Sequence, residues 1–304
     1  MTVPRITVIM PNYNRGEFLE RTICSVLDQD YDNLQFIVID EGSVDDSVNV
    51  IRYYEDALDY WRTQPHTTRG DAIQQGLAHA TGEIVGILNS DDLYPPGALS
   101  EVGQIMKGPD APSWLVGRCF RIGEHDEMIG AFDASAPSSL ATFLMRDSGQ
   151  IPAPASFVNR SCIDRVGSFA NSFQYAFDYD CCCRLLAHDI QPVITSQVLG
   201  MRREFADTKS ALAILQEGLE YIAVASRYAT HLPLRQRYEL WSNIDRRRRI
   251  YALAENEVDS ESGTRFLLDK LIRHPWWLTD NSVRHVLLHG VEHAVPTGML
   301  RSAA

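Results

Sequence analysis

The chain has 304 residues, 45% hydrophobic content and a formal charge of -12 at pH 7, enough for one large domain or a domain with a sizeable appendage. That acidic balance excludes a general nucleic-acid binder, because phosphate backbones are held by clustered Lys and Arg. No apolar run is long enough to span a bilayer and the N-terminus lacks a signal-peptide layout, so the cytoplasm is the expected location.

Residues 1–120 alternate short β-like runs with helical patterns. Ile6-Thr7-Val8-Ile9-Met10 is the first expected strand, ended by Pro11-Asn12-Tyr13-Asn14. A helix follows from about Glu17, with Phe18, Leu19, Thr22, Ile23, Val26 and Leu27 on one apolar stripe. Phe36-Ile37-Val38-Ile39 is a second strand, ended by Asp40-Glu41-Gly42-Ser43. The next helix carries Val48, Val50, Ile51 and Tyr54, and Leu58-Asp59-Tyr60-Trp61 is a weaker third strand. A helix from about Asp71 to Ala80 leads into the apolar run Ile84-Val85-Gly86-Ile87-Leu88, which suits a strand buried on both faces.

That run stops at Asn89-Ser90-Asp91-Asp92, and Pro95, Pro96 and Gly97 forbid its continuation. Adjacent carboxylates repel unless a cation or strong donor sits between them. Oxygen ligands at this density suit Mg²⁺ or Mn²⁺, shared with phosphate oxygens. An ordinary turn with an Asp cap before a helix near Pro96 is the alternative. Strand, helix, strand at this rhythm predicts βαβ units and a mostly parallel sheet. The loops Pro11–Asn14, Asp40–Ser43 and Asn89–Asp92 then converge in the crevice where such sheets bind ligands. Neither G-x-G-x-x-G after the first strand nor G-x-x-x-x-G-K-[ST] occurs, which removes simple dinucleotide dehydrogenases and P-loop phosphotransferases.

Further on, Trp114–Gly117 and Cys119–Ile122 look like strands, and Ile151–Val158 couples a Pro-stiffened loop to another. Phe177–Leu186 is an expected helix with Asp178 and Asp180 in its first turn, where the helix dipole favours them. Asp180 and Arg184 are four apart and can pair, whereas Asp178 has Phe177 and Cys182 as neighbours. Val193-Ile194 starts a last strand before Arg202-Arg203. From about Asp207 the pattern is helical, with stripes at Leu212–Ile222, Arg235–Leu253 and Phe266–Ile272. Arg246-Arg247-Arg248-Arg249 is read as a solvated helix face; with Trp276-Trp277 it could instead touch an anionic membrane surface. The six cysteines, three of them consecutive at Cys181–Cys183, are read as reduced apolar fillers.

These motifs, in this order, resemble those of family 2 glycosyltransferases with the GT-A fold. The resemblance rests on Val8–Asn14, Ser25–Tyr31 through Val38–Ser47, Gly70–Ile73 through Ala80–Ile84, Asn89–Asp92, and Phe177–Asp180 with Arg184-Leu185. It implies a Rossmann-like GT-A domain over 1–206, split into a nucleotide-sugar half (1–110) and an acceptor half (111–206), with a helical extension over 207–304. It implies that Pro11, Asn12, Tyr13, Asn14, Asp40 and Glu41 hold the nucleoside and that Asp71 lies near base or ribose. Asn89, Ser90 and Asp92 would lie near ribose and diphosphate, Asp91 would bind Mg²⁺ or Mn²⁺, and Asp178 would be the general base of an inverting transfer. The donor would be a nucleoside-diphosphate sugar, UDP-linked, and the acceptor a glycan or lipid-linked glycan. The family usually has Asp where this chain has Glu41, and many relatives carry a His where this chain has Arg202-Arg203-Glu204, so either this chain lacks that contact or Arg202, Arg203 or Lys209 reaches the diphosphate instead. A sugar-nucleotidyltransferase would need a Gly-rich basic loop after the first strand, which Pro11–Arg15 is not; a glycosyltransferase-like binding module without catalysis is the other alternative.

Overall fold

The computed structural model describes residues 3–65, 68–146, 151–167, 173–205, 211–258, 271–272 and 275–279. The chain packs as two compact units, one of Met1–Ser139 with Gln150–Ala206 and one of Leu140–Gly149 with Asp207–Ala304.

The first unit is a sheet with helices on its faces. In chain order it runs β1 (Ile6–Asn12), α1 (Gly16–Leu27), β2 (Leu34–Asp40), α2 (Ser47–Tyr53), β3 (Tyr60–Thr63), α3 (Arg69–His79), β4 (Ile84–Ile87) and α4 (Ala98–Ile105). It continues through β5 (Trp114–Ile122) and β6 (Met128–Phe132). The chain then passes through α5 (Leu140–Met145) of the second unit and returns as β7 (Ser156–Asn159), α6 (Arg160–Val166), α7 (Phe177–Ala187) and β8 (Val193–Arg203). The strand order is β3-β2-β1-β4-β7-β5-β6, with β8 on the free side of β5. The pairs β3–β2, β2–β1 and β1–β4 are parallel, so these four strands end at one edge. Beyond β4 the pairing turns antiparallel through β7 and β5, and β8 joins β5 in parallel.

Ile6, Val8, Ile9 and Met10 of β1 and Phe36, Ile37, Val38 and Ile39 of β2 are all buried, because helices cover both faces of the sheet. The stripe of α1 buries Phe18, Leu19, Thr22, Ile23 and Val26. A Thr68–Asp71 capping box starts α3 by satisfying orphan backbone donors. This helix lies so close to β1 that a Cβ at Gly76 would stand 2.4 Å from Ile9 Cγ2, so only glycine fits there. Two expected strands, 114–117 and 119–122, are one continuous β5 whose register against β8 shifts around Arg118. Neither β6 nor α6 has a counterpart among the expected elements.

In the second unit α8 (Ala211–Tyr228) and α9 (Leu234–Val258) bury Ile222, Val224, Ala225, Leu240 and Ile244. Arg247 is 2% exposed, and its Nη2 donates to the carbonyls of Leu144 and Met145, closing the C-terminus of α5. The run 246–249 is therefore not uniformly solvated: Arg246 and Arg248 are exposed and Arg247 is a buried cap. Trp276 and Trp277 both donate to the Asp245 carboxylate, and Trp277 is buried. Lys209 and most of the expected stripe at 266–272 lie outside the described residues. Among the described residues no helix is long and apolar enough to cross a membrane.

Candidate active site

The parallel pairing carries Asn12, Asp40 and the end of β4 to one edge, where their loops interlock. Asp40 organises that edge. Its fully buried carboxylate accepts from Asn12 Nδ2, the Gly42 and Ser43 amides, Ser43 Oγ and Thr63 Oγ1. Asn14, at φ 49°, accepts from the Val44 amide through Oδ1, and its own amide donates to Ser43 Oγ. Gly42 takes φ +91°, a conformation L side chains rarely adopt, and a Cβ there would also strike Pro65. Pro11 and Asn12 are buried behind this lattice, while Tyr13 projects with 47% exposure. Asp71 is spent locally, its Oδ2 accepting from the Thr68 amide and hydroxyl.

Glu41 differs from its neighbour. Its side chain is 3% exposed, and among the described residues Oε1 has no hydrogen-bond partner, with Arg69 Nε at 3.9 Å as its ionic partner. Burial, partly offset by Arg69 and reinforced by the charges of Asp40 and Asp71, pushes its carboxyl up to about 7. The Arg69 guanidinium also stands 5.9 Å from the centroid of the Phe177 ring at the start of α7, so that helix end faces the Glu41 pocket.

The two adjacent acids after β4 are separated by their partners. Asp92 is 2% exposed and accepts from the Arg203 amide and from Asn89 Nδ2. Burial and then the Asp91 charge push it up to about 7. Asp91 turns the other way, with Oδ2 3.0 Å from Arg15 Nε and 18% of its side chain exposed. Ser90 is buried, its carbonyl accepting from Thr22 Oγ1 on α1. Arg203 locks the loop. Its side chain is 0% exposed and donates to the carbonyls of Asp91, Gly123 and Glu124 and to Asp126, with its guanidinium 4.9 Å over Phe18. Such a guanidinium is committed to the protein, which corrects the expectation that Arg203 reaches a diphosphate.

Among the described residues no group of three or more His, Cys, Asp or Glu could hold a metal. Mg²⁺ and Mn²⁺ bound with phosphates need less, usually one or two carboxylates besides phosphate oxygens and water. Asp91 supplies one carboxylate, and the buried Oδ1 of Asn89 has no hydrogen-bond partner. That donor set fits an ion shared with a diphosphate and does not fit an all-protein cage.

Asp178 sits in the first turn of α7, its Oδ1 accepting from the Tyr179 amide at 2.7 Å. It borders an apolar cavity with Val85 and Ile87 of β4, Trp114, Ile151 and Cys182. Asp180, 1% exposed, faces Arg184 Nη2 at 3.0 Å, as their spacing predicts. The two acids thus occupy different surroundings within the same first turn. Sequence analysis missed Arg15 and Arg69; the only signal for either is a basic residue directly beside a predicted loop, Asn14-Arg15 and Arg69-Gly70-Asp71.

The model of the family described as Glycosyl transferase family 2 matches residues 7–131. An uncharacterized glycosyltransferase of Mycobacterium tuberculosis is 32% identical over 183 residues, covering 59% of this chain and 68% of the relative. The Campylobacter jejuni GalNAc(5)-diNAcBac-PP-undecaprenol beta-1,3-glucosyltransferase is 33% identical over 121 residues, 38% of each chain. Among solved structures, S. aureus TarS 1-349 in complex with UDP-GlcNAc has a TM-score of 0.55 at 12% identity, covering 89% of this chain and 92% of that one. The Pyrobaculum calidifontis mannosyltransferase in complex with GDP-Man and Mn²⁺ has a TM-score of 0.55 at 18% identity, covering 99% and 86%. At those identities the structural likeness is one of fold, and that fold is GT-A. With its motifs, its sheet and its Mycobacterium relative in agreement, this chain belongs to glycosyl transferase family 2.

Proposed function

We propose that this chain is an inverting glycosyltransferase that moves a sugar from a UDP-linked donor to a hydroxyl of a glycan or lipid-linked glycan. The observation that carries the reading is the convergence of three strand-end loops on one edge, with Asp91 part-exposed there. Residues 1–206 would be the catalytic domain and 207–304 an extension. The names of the C. jejuni relative, with its undecaprenol-linked acceptor, and of the TarS complex with UDP-GlcNAc support the substrate classes.

In this reading Tyr13, Asn14 and Glu41 meet the nucleoside, with Pro11, Asn12, Asp40 and Asp71 holding their loops. Glu41 accepts from the imide N–H of uracil through the oxygen that has no hydrogen bond. Asp91 and Asn89 would hold Mg²⁺ or Mn²⁺, with Ser90 and Asp92 positioning them from behind. The ion, when bound, supplies charge neutralisation for the departing diphosphate. Asp178 takes the proton from the acceptor hydroxyl as that oxygen attacks the anomeric carbon, and a single displacement inverts the centre. Asp180, committed to Arg184, keeps the helix end in place.

The test is thermal-shift screening with UDP, GDP, CDP and dTDP, with and without Mn²⁺, followed by assay of UDP release from UDP-sugars. A ligand at a hundredfold excess over its dissociation constant stabilises by roughly 2.7 kcal/mol. Stabilisation by UDP with Mn²⁺, together with UDP release, is expected. Preference for GDP would overturn the uracil assignment, and binding without turnover of any donor would make the chain a binding module.

A further inference from the structure

Asp91 is not a vacant carboxylate. Arg15 occupies it, and the geometry of Arg15 is unlike that of the other guanidiniums near the loop. Arg203 is fully buried and committed to four protein groups. The Arg15 side chain is 42% exposed and reaches Asp91 through Nε, and among the described residues its two terminal amines have no hydrogen-bond acceptor. Its backbone N–H donates a hydrogen bond to Ser47 Oγ, and its guanidinium lies 5.3 Å from the Phe205 ring, which packs edge-on against Phe18. With a fixed root, an aromatic platform and a part-exposed head, the side chain can change partner without unfolding the loop.

Charge accounting gives that change of partner a purpose. Arg15 with Asp91 is neutral. A divalent ion added to that pair alone would leave two positive charges in excess at a part-buried site, where like charges repel strongly. If a diphosphate diester with two negative charges arrives with the ion, the group of four is neutral again, provided Arg15 stays. We propose that Arg15 is the resident counter-cation of Asp91 and releases that carboxylate to the divalent ion only when a donor diphosphate takes over its guanidinium. Arg15 is then a positioning residue that makes metal and nucleotide bind together. The inference rests on Asp91 being the metal ligand, as proposed above.

The experiment uses the full chain and two probes. Mn²⁺ alone is titrated and followed by loss of the free-ion electron paramagnetic resonance signal; UDP is then titrated calorimetrically at saturating Mn²⁺. Arg15→Gln is expected to bind Mn²⁺ alone about tenfold tighter than the parent and UDP about tenfold weaker, as loss of one nearby positive charge requires. Arg15→Lys keeps the charge and is expected to fall between the two, which separates charge from a general loss of structure. Absence of either shift in Arg15→Gln overturns the exchange. Asp91→Asn distinguishes the two levels. If it abolishes Mn²⁺ binding while Arg15→Gln changes nothing, only the role of Arg15 is lost; if it leaves Mn²⁺ binding intact, Asp91 is not the ligand and both fall.

Discussion

Glu41 should make the ligand-free protein less stable as pH rises. Its carboxyl is buried, faces Asp40 and Asp71, and among the described residues has no hydrogen bond to Oε1 and Arg69 at 3.9 Å as the one cation that favours the charged form. Its proton affinity is raised from the usual 4.5 to about 7. Between those values the folded chain holds a proton that the unfolded chain has lost. The stabilising contribution is therefore complete below about 4.5 and lost as pH rises through about 7. Each tenfold in proton affinity is worth ~1.4 kcal/mol, so the whole contribution is on the order of 3 kcal/mol. Glu41→Gln keeps the shape and removes the titration. Urea denaturation of parent and variant at intervals from pH 4.5 to 8 should show similar stability at the acid end and a more stable variant at the basic end. A parent–variant difference that stays constant across that range would refute the reasoning. The same carboxyl should also couple to ligand. An N–H donor from a base favours the ionised form, so UDP binding near pH 7 should release about half a proton more from the parent than from Glu41→Gln. Calorimetry in buffers of different ionisation enthalpy reads that difference.

Asp178→Asn should lose turnover and keep UDP affinity, because the base acts on the acceptor; Asp180→Asn should instead lose about 3 kcal/mol of stability by removing the buried carboxylate that pairs with Arg184. Single-turnover transfer and donor affinity measured side by side on both variants separate them, and the reverse pattern would make Asp180 the base. Arg203→Met should cost about 3 kcal/mol in thermal unfolding, since it leaves the buried carbonyl of Gly123 and the part-buried carbonyls of Asp91 and Glu124 without their donor; an unchanged melting temperature would remove it as the lock of the loop. If the second unit touches membranes, the exposed Arg246 and Arg248 carry the charge, so co-sedimentation with anionic vesicles should weaken with salt and disappear in Arg246→Glu/Arg248→Glu. No co-sedimentation of the parent at low salt would return these arginines to ordinary solvation.

The parallel half of the sheet was legible in the sequence because its signals are local. Continuous apolar runs at Ile6–Met10, Phe36–Ile39 and Ile84–Leu88 mark strands covered on both faces, and the polar residues that stop them mark the ligand edge. The i,i+4 pairing of Asp180 with Arg184 was legible for the same reason. Short elements with weak periodicity were not. The edge strand β6 is mostly solvated, α6 is only seven residues long, and nothing in the sequence says that the strands beyond β4 are ordered β7-β5-β6 with β8 paired to β5, or that α5 packs with the C-terminal helices. Nor could residue type tell Asp40 from Glu41 or Asp91 from Asp92. In each pair the loop that follows the strand turns one acid onto backbone amides and the other towards a side chain remote in sequence. The deciding contacts, Arg15 with Asp91, Arg69 with Glu41 and the Arg203 amide with Asp92, join residues 76, 28 and 111 positions apart. Such pairs exist only once the sheet has set its strand order, so the sequence could supply the acids and only the folded chain could assign each its partner.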